Sequence, residues 1–394
     1  MKNTFLSLAL VSMLFVSCGE DDTADIIIND NSVTNNYSGG TSDETVLLKG
    51  SFTSDLTLDA TKNYIIDGPV IMEAGTTLTI PAGMTIRASA TGSDVYIAIA
   101  QGAKIIADGS ASFPIVFTSN SSTPNAGDWG GLIVLGKAPI NSVVGGDTTS
   151  TSEIASLPYG GQHPDDDSGV IRYVRIEYSG GKADGQSENN GFSFYGVGNG
   201  TTVQYIQAYE GLDDGIEFFG GTVNASYISV VNAQDDSVDW TEGFSGTLTN
   251  VYVKHGSEHD KGIEADGFNT DIGNNSNPLF FSKPTVENLT IKGLGSGTGN
   301  EAVRLRAGTQ GIFKNVLIEG FEEAFDLDGD QGDSPTGAGV TSGDLHVTDA
   351  TFTDIITKLK NDTGVTFTEG DFISGDGNGT GTDYASWGTL WTRQ

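Results

Sequence analysis

Five short stretches in the second half of the chain set one charged residue among apolar ones. They are Asp214-Gly215-Ile216-Glu217-Phe218, Asp236-Ser237-Val238-Asp239-Trp240, Lys261-Gly262-Ile263-Glu264-Ala265, Glu301-Ala302-Val303-Arg304-Leu305 and Glu323-Ala324-Phe325-Asp326-Leu327. A period of two turns the large apolar residues to one face of a strand and the charge to the other. If the stretches stack as neighbouring strands, Glu217, Asp239 and Glu264 form one line, spaced about 4.8 Å apart, which Arg304 and Asp326 continue. Two carboxylates at that distance repel by about 1 kcal/mol in water and by several times more when desolvated. Calcium offsets such repulsion, because it accepts six to eight oxygen ligands in loosely specified geometry. The pairs Asp213/Asp214 and Asp235/Asp236 precede their strands at a turn and add further oxygens. The competing reading is a solvated acidic face, or acids that stabilise turns. Paired carboxylates also serve inverting glycoside hydrolysis at separations of about 6.5–9.5 Å, a spacing almost any acidic ladder contains.

The elements that must position this column are legible upstream of each stretch. Short strands centre on Ile206, Ile228, Val251, Leu289 and Val316, with steps of 22, 23, 38 and 27 residues between them. Such steps, built from short strands and Gly/Asn/Asp corners, predict a solenoid, and a right-handed parallel β-helix fits best. Short strands from Leu56 to Phe117, separated by Asp67-Gly68, Ala74-Gly75 and Pro81-Ala82-Gly83, open the series. Three excursions, at 140–167, 267–284 and 293–300, have no strand pattern and are expected to leave the solenoid. The β-helix is expected over 45–330. Residues 331–394 lose the repeat and are expected to supply closing rungs and an aromatic cap with Trp387, Leu390 and Trp391. A helical turn or two is expected at Ile355–Lys360.

Residues 1–17 read as a signal peptide: Lys2 precedes an apolar run, Phe5 to Val16, too short to span a bilayer. Cys18, the only cysteine of the chain, follows in a context that resembles a bacterial lipobox, which implies a lipid anchor in the outer membrane. Phe15 and Val16 are looser than the proteobacterial pattern and match the tolerance of Bacteroidota lipoproteins. Gly19-Glu20-Asp21-Asp22 resembles the acidic signal that sends those lipoproteins to the cell exterior. Residues 18–44 are polar and aperiodic, which predicts a flexible acidic tether. With one cysteine there is no intramolecular disulfide. The balance of 19 basic against 52 acidic residues, −33 net, argues against nucleic acid, anionic lipid surfaces and polyanions bound without a metal.

Other chemistry-bearing residues carry weaker signals. His255 and His259 flank Gly256-Ser257-Glu258 without the His-Glu-x-x-His order of a helical zinc motif, and are expected to be exposed loop residues. No Gly-x-Ser-x-Gly elbow is present for a serine hydrolase. Tyrosines at 173, 178, 195, 205, 209, 227 and 252 cluster in the regular rungs; Tyr205 and Tyr227 share a register and are expected to stack. Trp129 and Trp240 are expected in the core.

The stretches "GDWGGLIVLGKAPIN", "SGVIRYVRIEYSGG", "NNGFSFYGVGNGTTVQYIQAYEGLDDGIEFFGGTVNASYISV" and "DDSVDW" resemble a family of Bacteroidota and marine-bacterial surface proteins with a pectate-lyase-like β-helix. The resemblance spans about residues 46–330; it implies the fold and no established activity. Pectate lyases hold calcium on acids of adjacent rungs and use a nearby arginine as base, a cast that Glu217, Asp239, Glu264 and Arg304 reproduce in order. The signature around the lyase arginine is missing here, and a long excursion separates Glu264 from Arg304. The resulting expectation is a surface lipoprotein that binds glycans or partner proteins with calcium at its acidic corners. A calcium-dependent polysaccharide lyase using Arg304 is the first alternative, and a passive adhesin-like stalk the second. Replacing the anchor, Cys18→Ser, should move the protein from the detergent phase to the aqueous phase on phase partition; a variant that stays membrane-bound and surface-exposed would refute the anchor.

Overall fold

The computed structural model describes residues 44–142, 149–182, 189–270, 279–329 and 335–394. Cys18, the signal segment and almost all of the tether lie outside the described residues. Among those described, no helix is long and apolar enough to cross a membrane. The chain is an all-β parallel β-helix, with the strands of its long sheet paired in parallel from Thr45 to Asp376.

Each regular rung has one bent strand and one short strand. The bent strands Gly169–Glu177, Thr202–Tyr209, Ala225–Val231, Thr247–Lys254 and Thr285–Lys292 stack in parallel, then continue into the first halves of Gly311–Asp328 and Leu345–Asp362. The bend falls at one register position, held by Tyr173, Tyr205, Tyr227, Asn250, Asn288, Asn315 and Asp349, all with φ between 50° and 60°. That left-handed conformation is strained for most side chains, and asparagine tolerates it through local hydrogen bonds. Stacking supplies the compensation. Asn288 and Asn315 each donate from Nδ2 to the Oδ1 of the preceding asparagine, at 3.2 and 2.8 Å. The tyrosine rings stack at 4.2 and 4.1 Å, including the expected Tyr205–Tyr227 pair.

The short strands Phe192–Tyr195, Ile216–Phe219, Val238–Thr241, Ile263–Asp266 and Glu301–Arg306 form the column that carries the charges. Ile216, Val238, Ile263, Val303 and Phe325 stack in register and are fully buried. Phe194, Phe218 and Phe244 stack beside them at 5.3 and 4.5 Å. Trp129 and Trp240 lie in the core as expected, and Trp129 Nε1 donates to the carbonyl of Glu177 at 2.9 Å.

Three expectations need correction. The excursion at 140–167 contains a short hairpin, Ser150–Thr151 against Pro158–Tyr159, and folds back onto the solenoid. Its Ile140 and Tyr159 cover Ile133, Leu135, Tyr195 and Phe219, an apolar patch on the outward side of the short strands that would otherwise face water. Ile355–Lys360 is strand, because Ile355 and Leu359 continue the interior ladders of Phe321 and Phe325. The aromatic C-terminal segment does not close the end of the solenoid. The last rungs are closed by Val340 and Phe372 of two short helices, Thr336–Ser342 and Glu369–Phe372. The residues after Asp376 instead run back along the bent strands, where Tyr384, Trp387 and Trp391 pack over Tyr252, Tyr227, Tyr205 and Tyr173.

Burying an aliphatic side chain contributes roughly 1.5–3 kcal/mol, and an unpaired buried charge reverses that sign. Val238→Asp should therefore abolish the cooperative thermal transition or lower its midpoint by more than about 10 °C, against a near-neutral Val238→Ile; circular dichroism melts of the two variants decide it.

Candidate functional site

The outward sides of the short strands line a polar groove of about 490 Å³. Its walls carry Asp213, Asp214, Glu217, Asp235, Asp236, Asp239, Asp260 and Glu264, with Glu153 and Asn190 at one end and Lys261, Arg304 and Arg306 at the other. The register that produces this is direct: Glu217 pairs with Asp239, Asp239 with Glu264, Glu264 with Arg304, and Arg304 with Asp326. All seven residues expected to ligate metal are thus brought to one groove. Upstream of Glu217 the same column is Ser193, Ile133 and Ala98, and the groove ends where Glu153 enters from the 140–167 excursion.

The corner acids have a structural role as well. One oxygen of Asp214 accepts from the backbone N–H of Asp236 at 2.9 Å, and one oxygen of Asp236 accepts from the N–H of Lys261 at 2.7 Å. Each carboxylate thereby ties its corner to the next rung, which is the turn-stabilising reading. It accounts for one oxygen of each acid and leaves the rest of the column unexplained.

Built-in cations neutralise part of the groove. Lys182 lies 3.4 Å from Asp213 and 3.7 Å from Asp235. Lys261 lies 2.5 Å from Asp260, 3.1 Å from Glu264 and 3.9 Å from Asp236. Arg306 pairs with Glu264 at 2.5 Å and Asp266 at 2.6 Å. Farther along, Lys360 lies 3.0 Å from Asp326. Among the described residues, no lysine or arginine lies within 4 Å of Asp214, Glu217 or Asp239, although the charge of Arg306 acts on Asp239 from farther off. These three acids place one oxygen each within 4.8 Å of one another. Among the described residues, Glu217 accepts one hydrogen bond, from the Asn190 amide at 2.7 Å, and Asp239 Oδ1 is buried with no hydrogen-bond partner. An oxygen-only donor set with an orphaned buried oxygen is what a hard divalent cation requires. Glu264 belongs to a different local balance, held by Lys261 and Arg306.

Arg304 is committed elsewhere. Its Nε and Nη2 both donate to Asp328 Oδ2, at 2.8 and 2.6 Å. Burial alone would lower its pKa, but the hydrogen bond and charge of Asp328 outweigh it, so the guanidinium is held above its ordinary value. A general base needs the reverse.

Sequence reasoning overlooked the roles of Lys182, Lys261, Arg306, Asn190 and Glu153. Two of these left a signal. Lys261 stands where the two preceding copies have Asp214 and Asp236, and Arg306 aligns with Asp266 one rung earlier. Lys182 and Glu153 come from outside the repeat and left none. The histidines also differ from expectation. His255 is buried, stacks on His259 at 4.1 Å and meets Phe321 edge-on, and burial, then His259, lowers its pKa to about 3. It is a neutral packing residue. The tyrosines at 173, 205, 227 and 252 lie under the C-terminal segment: the first three stack on one another and meet Trp391 and Trp387 at steep angles, and Tyr252 stacks on Tyr384.

The sequence profile described as "Pectate-lyase like beta helix domain" matches residues 50–392. No curated protein matches the chain. Among solved structures it is similar to the catalytic unit of a thermostable GH87 alpha-1,3-glucanase from Streptomyces thermodiastaticus strain HF3-3, at 11% identity and a TM-score of 0.30, over 84% of this chain and 64% of that one. It is also similar to a family 28 exopolygalacturonase from Yersinia enterocolitica, at 11% identity and a TM-score of 0.20, over 79% of this chain and 74% of that one.

Burial first, and neighbouring carboxylates second, hold Asp214, Glu217, Asp236 and Asp239 well above the ordinary 3.8 of aspartate and 4.5 of glutamate. A carboxyl whose pKa is raised on folding binds protons more tightly in the folded state. Its favourable contribution is present in acid and is lost as pH rises from the unfolded value through the folded one. In chelator, the melting temperature should therefore fall as pH goes from about 4 to about 8, and saturating calcium should flatten or invert that slope. A chelated protein whose melting temperature rises steadily across this range would refute the electrostatic account.

Proposed function

Since the chain belongs to the pectate-lyase-like β-helix domain family, we propose that it is a binding protein of the outer cell surface whose groove takes a glycan with the help of a calcium ion. Asp214, Glu217 and Asp239 would hold the ion, and Asp213, Asp235 and Asp236 stand close enough to contribute oxygens. When bound, calcium supplies positive charge for carboxylate or hydroxyl oxygens of a ligand. The observation that carries the reading is the pattern of neutralisation. The other acids of the column, Glu264 and Asp326, each have a lysine or arginine within 4 Å, whereas this triad has none among the described residues.

The groove's own residues suit a saccharide. Asn190, Lys261, Arg304 and Arg306 present N–H donors along one open trough, and sugar hydroxyls and carboxylates are recognised by such donors. Arg304, bound to Asp328, is a positioning and charge-bearing group in this reading rather than a base. Anchorage at Cys18, with 18–44 as a spacer, would present the groove to the cell exterior; the support for it is the sequence of those residues. A surface protein presenting acidic sugars or carboxylates could occupy the same trough.

Titration calorimetry of the chelated protein with calcium should show saturable binding. Glu217→Gln combined with Asp239→Asn should abolish it, while Glu264→Gln and Arg304→Ala should change the affinity by less than tenfold. At calcium one hundred times its dissociation constant, stabilisation of the wild type should reach about 2.7 kcal/mol, absent in the double variant. A glycan array run in calcium and in chelator tests the ligand: saturable, calcium-dependent retention is expected. A calorimetric blank for the wild type would leave the column a proton-sharing acidic face and overturn the proposal.

A further inference from the structure

The C-terminal segment runs across the stacked bent strands. Its root is Gly377, whose N–H donates to the carbonyl of Ala350 at 2.7 Å. Thr380 and Gly381 both donate from their backbone N–H to Asn315 Oδ1, at 2.6 and 3.2 Å. Thr382 donates from N to Thr290 Oγ1 at 3.0 Å and from Oγ1 to Asn250 Oδ1 at 3.3 Å. Tyr384 stacks on Tyr252 at 3.8 Å, and Trp387 meets Tyr227 edge-on at 5.6 Å. Trp391, almost wholly buried, lies against Tyr205 and Tyr173, and its carbonyl accepts from Arg175.

The tip is anchored as firmly as the root. Arg393 exchanges two hydrogen bonds with the side chain of Gln207, at 2.7 and 2.8 Å. Its guanidinium donates to Tyr178 Oη at 2.9 Å, pairs with the buried Glu177 at 3.3 Å and lies 5.3 Å from the ring of Tyr209. Glu177 is itself held by Thr118 and Arg175. The segment therefore spans seven stacked bent strands, from Leu345–Asp362 back to Gly169–Glu177, and is fixed at both ends. It has little structure of its own, a single turn of helix at Tyr384–Trp387, so the rungs beneath it determine its path.

We propose that residues 377–394 are a clasp that turns these seven rungs into one cooperative unit. In a plain solenoid each rung touches only its neighbours, and rungs can open from an end one at a time. A strap fixed at both ends changes that. Parting any two of the seven strands moves the anchor at Arg393 away from the root at Gly377, so the strap must detach before the gap can widen. The Tyr and Asn corner ladders, whose left-handed residues are the strained points of the rungs, are the surface it covers.

The test is native-state hydrogen exchange on the whole chain, comparing the wild type, a Trp391→Ala/Arg393→Ala double variant and a Leu390→Ala control. Leu390 is on the same segment but is 82% exposed and points away from the rungs. In the wild type and the control, amides of the strands between 169 and 362 should exchange at similar limiting rates. In the double variant, peptides covering 285–362 should exchange at least tenfold faster than those covering 63–135, and urea unfolding should split into two steps. If the double variant unfolds in one step with its exchange pattern unchanged, the clasp is refuted. Arg393→Ala alone provides a milder form of the same readout, with a smaller increase in the same peptides.

Discussion

Parallel stacking of like on like is the constraint from which the rest of this molecule follows. Successive rungs lie about 4.8 Å apart, so whatever residue one rung presents at a register position meets its counterpart on the next. For apolar and aromatic residues the meeting is favourable: the Ile216–Phe325 column and the Phe194–Phe218–Phe244 stack make the core. For amides it is favourable too, since one asparagine's N–H finds its neighbour's oxygen. For carboxylates it is repulsive, and an acidic column exists only with positive charge brought to it.

The chain supplies that charge in two ways. Downstream it is written into the repeat, where Lys261, Arg304, Arg306 and Lys360 replace acids in the register and pair with those on either side. At the upstream corner it arrives from outside the repeat, as Lys182 against Asp213 and Asp235. Between these two arrangements, among the described residues, the triad of Asp214, Glu217 and Asp239 has no cation within 4 Å and feels only the more distant charge of Arg306 on Asp239. Protonation neutralises these carboxyls but by itself gives the buried Asp239 Oδ1 no partner. A divalent ion meets both needs at once.

Much of this was legible in the sequence because the governing periods are local. Steps of 22 and 23 residues and the alternation within each pentapeptide are enough to align Ile216 with Val238 and Glu217 with Asp239, and the structure has that register. What stayed hidden involves residues that leave the repeat. Nothing in the alternation of the 140–167 excursion shows that Ile140 and Tyr159 return to cover Phe219, since the surface they seal lies on another part of the chain. The terminal aromatics misled for a related reason. A run containing Trp387 and Trp391 near the end of a solenoid reads as an end plug, yet its partners are tyrosines from 132 to 218 residues earlier, at 252, 227, 205 and 173. Ile355–Lys360 was misread because an isolated apolar pair has both periods; only pairing with Phe321 and Phe325 selects the strand.

The two flanks of the solenoid answer the same geometric demand with opposite chemistry. At the bent strands the stacked outward residues are tyrosine and asparagine, whose flat faces and amide edges attract one another, and the chain covers them with its own C-terminal segment. At the short strands the stacked outward residues are acids, which repel one another and are left open as a groove. A segment like the strap could not close that groove, because an aromatic or amide side chain would desolvate carboxylates without neutralising them. The acidic flank therefore stays accessible for a physical reason. Only a ligand that carries positive charge, or brings it as a metal ion, can lower its energy by filling it.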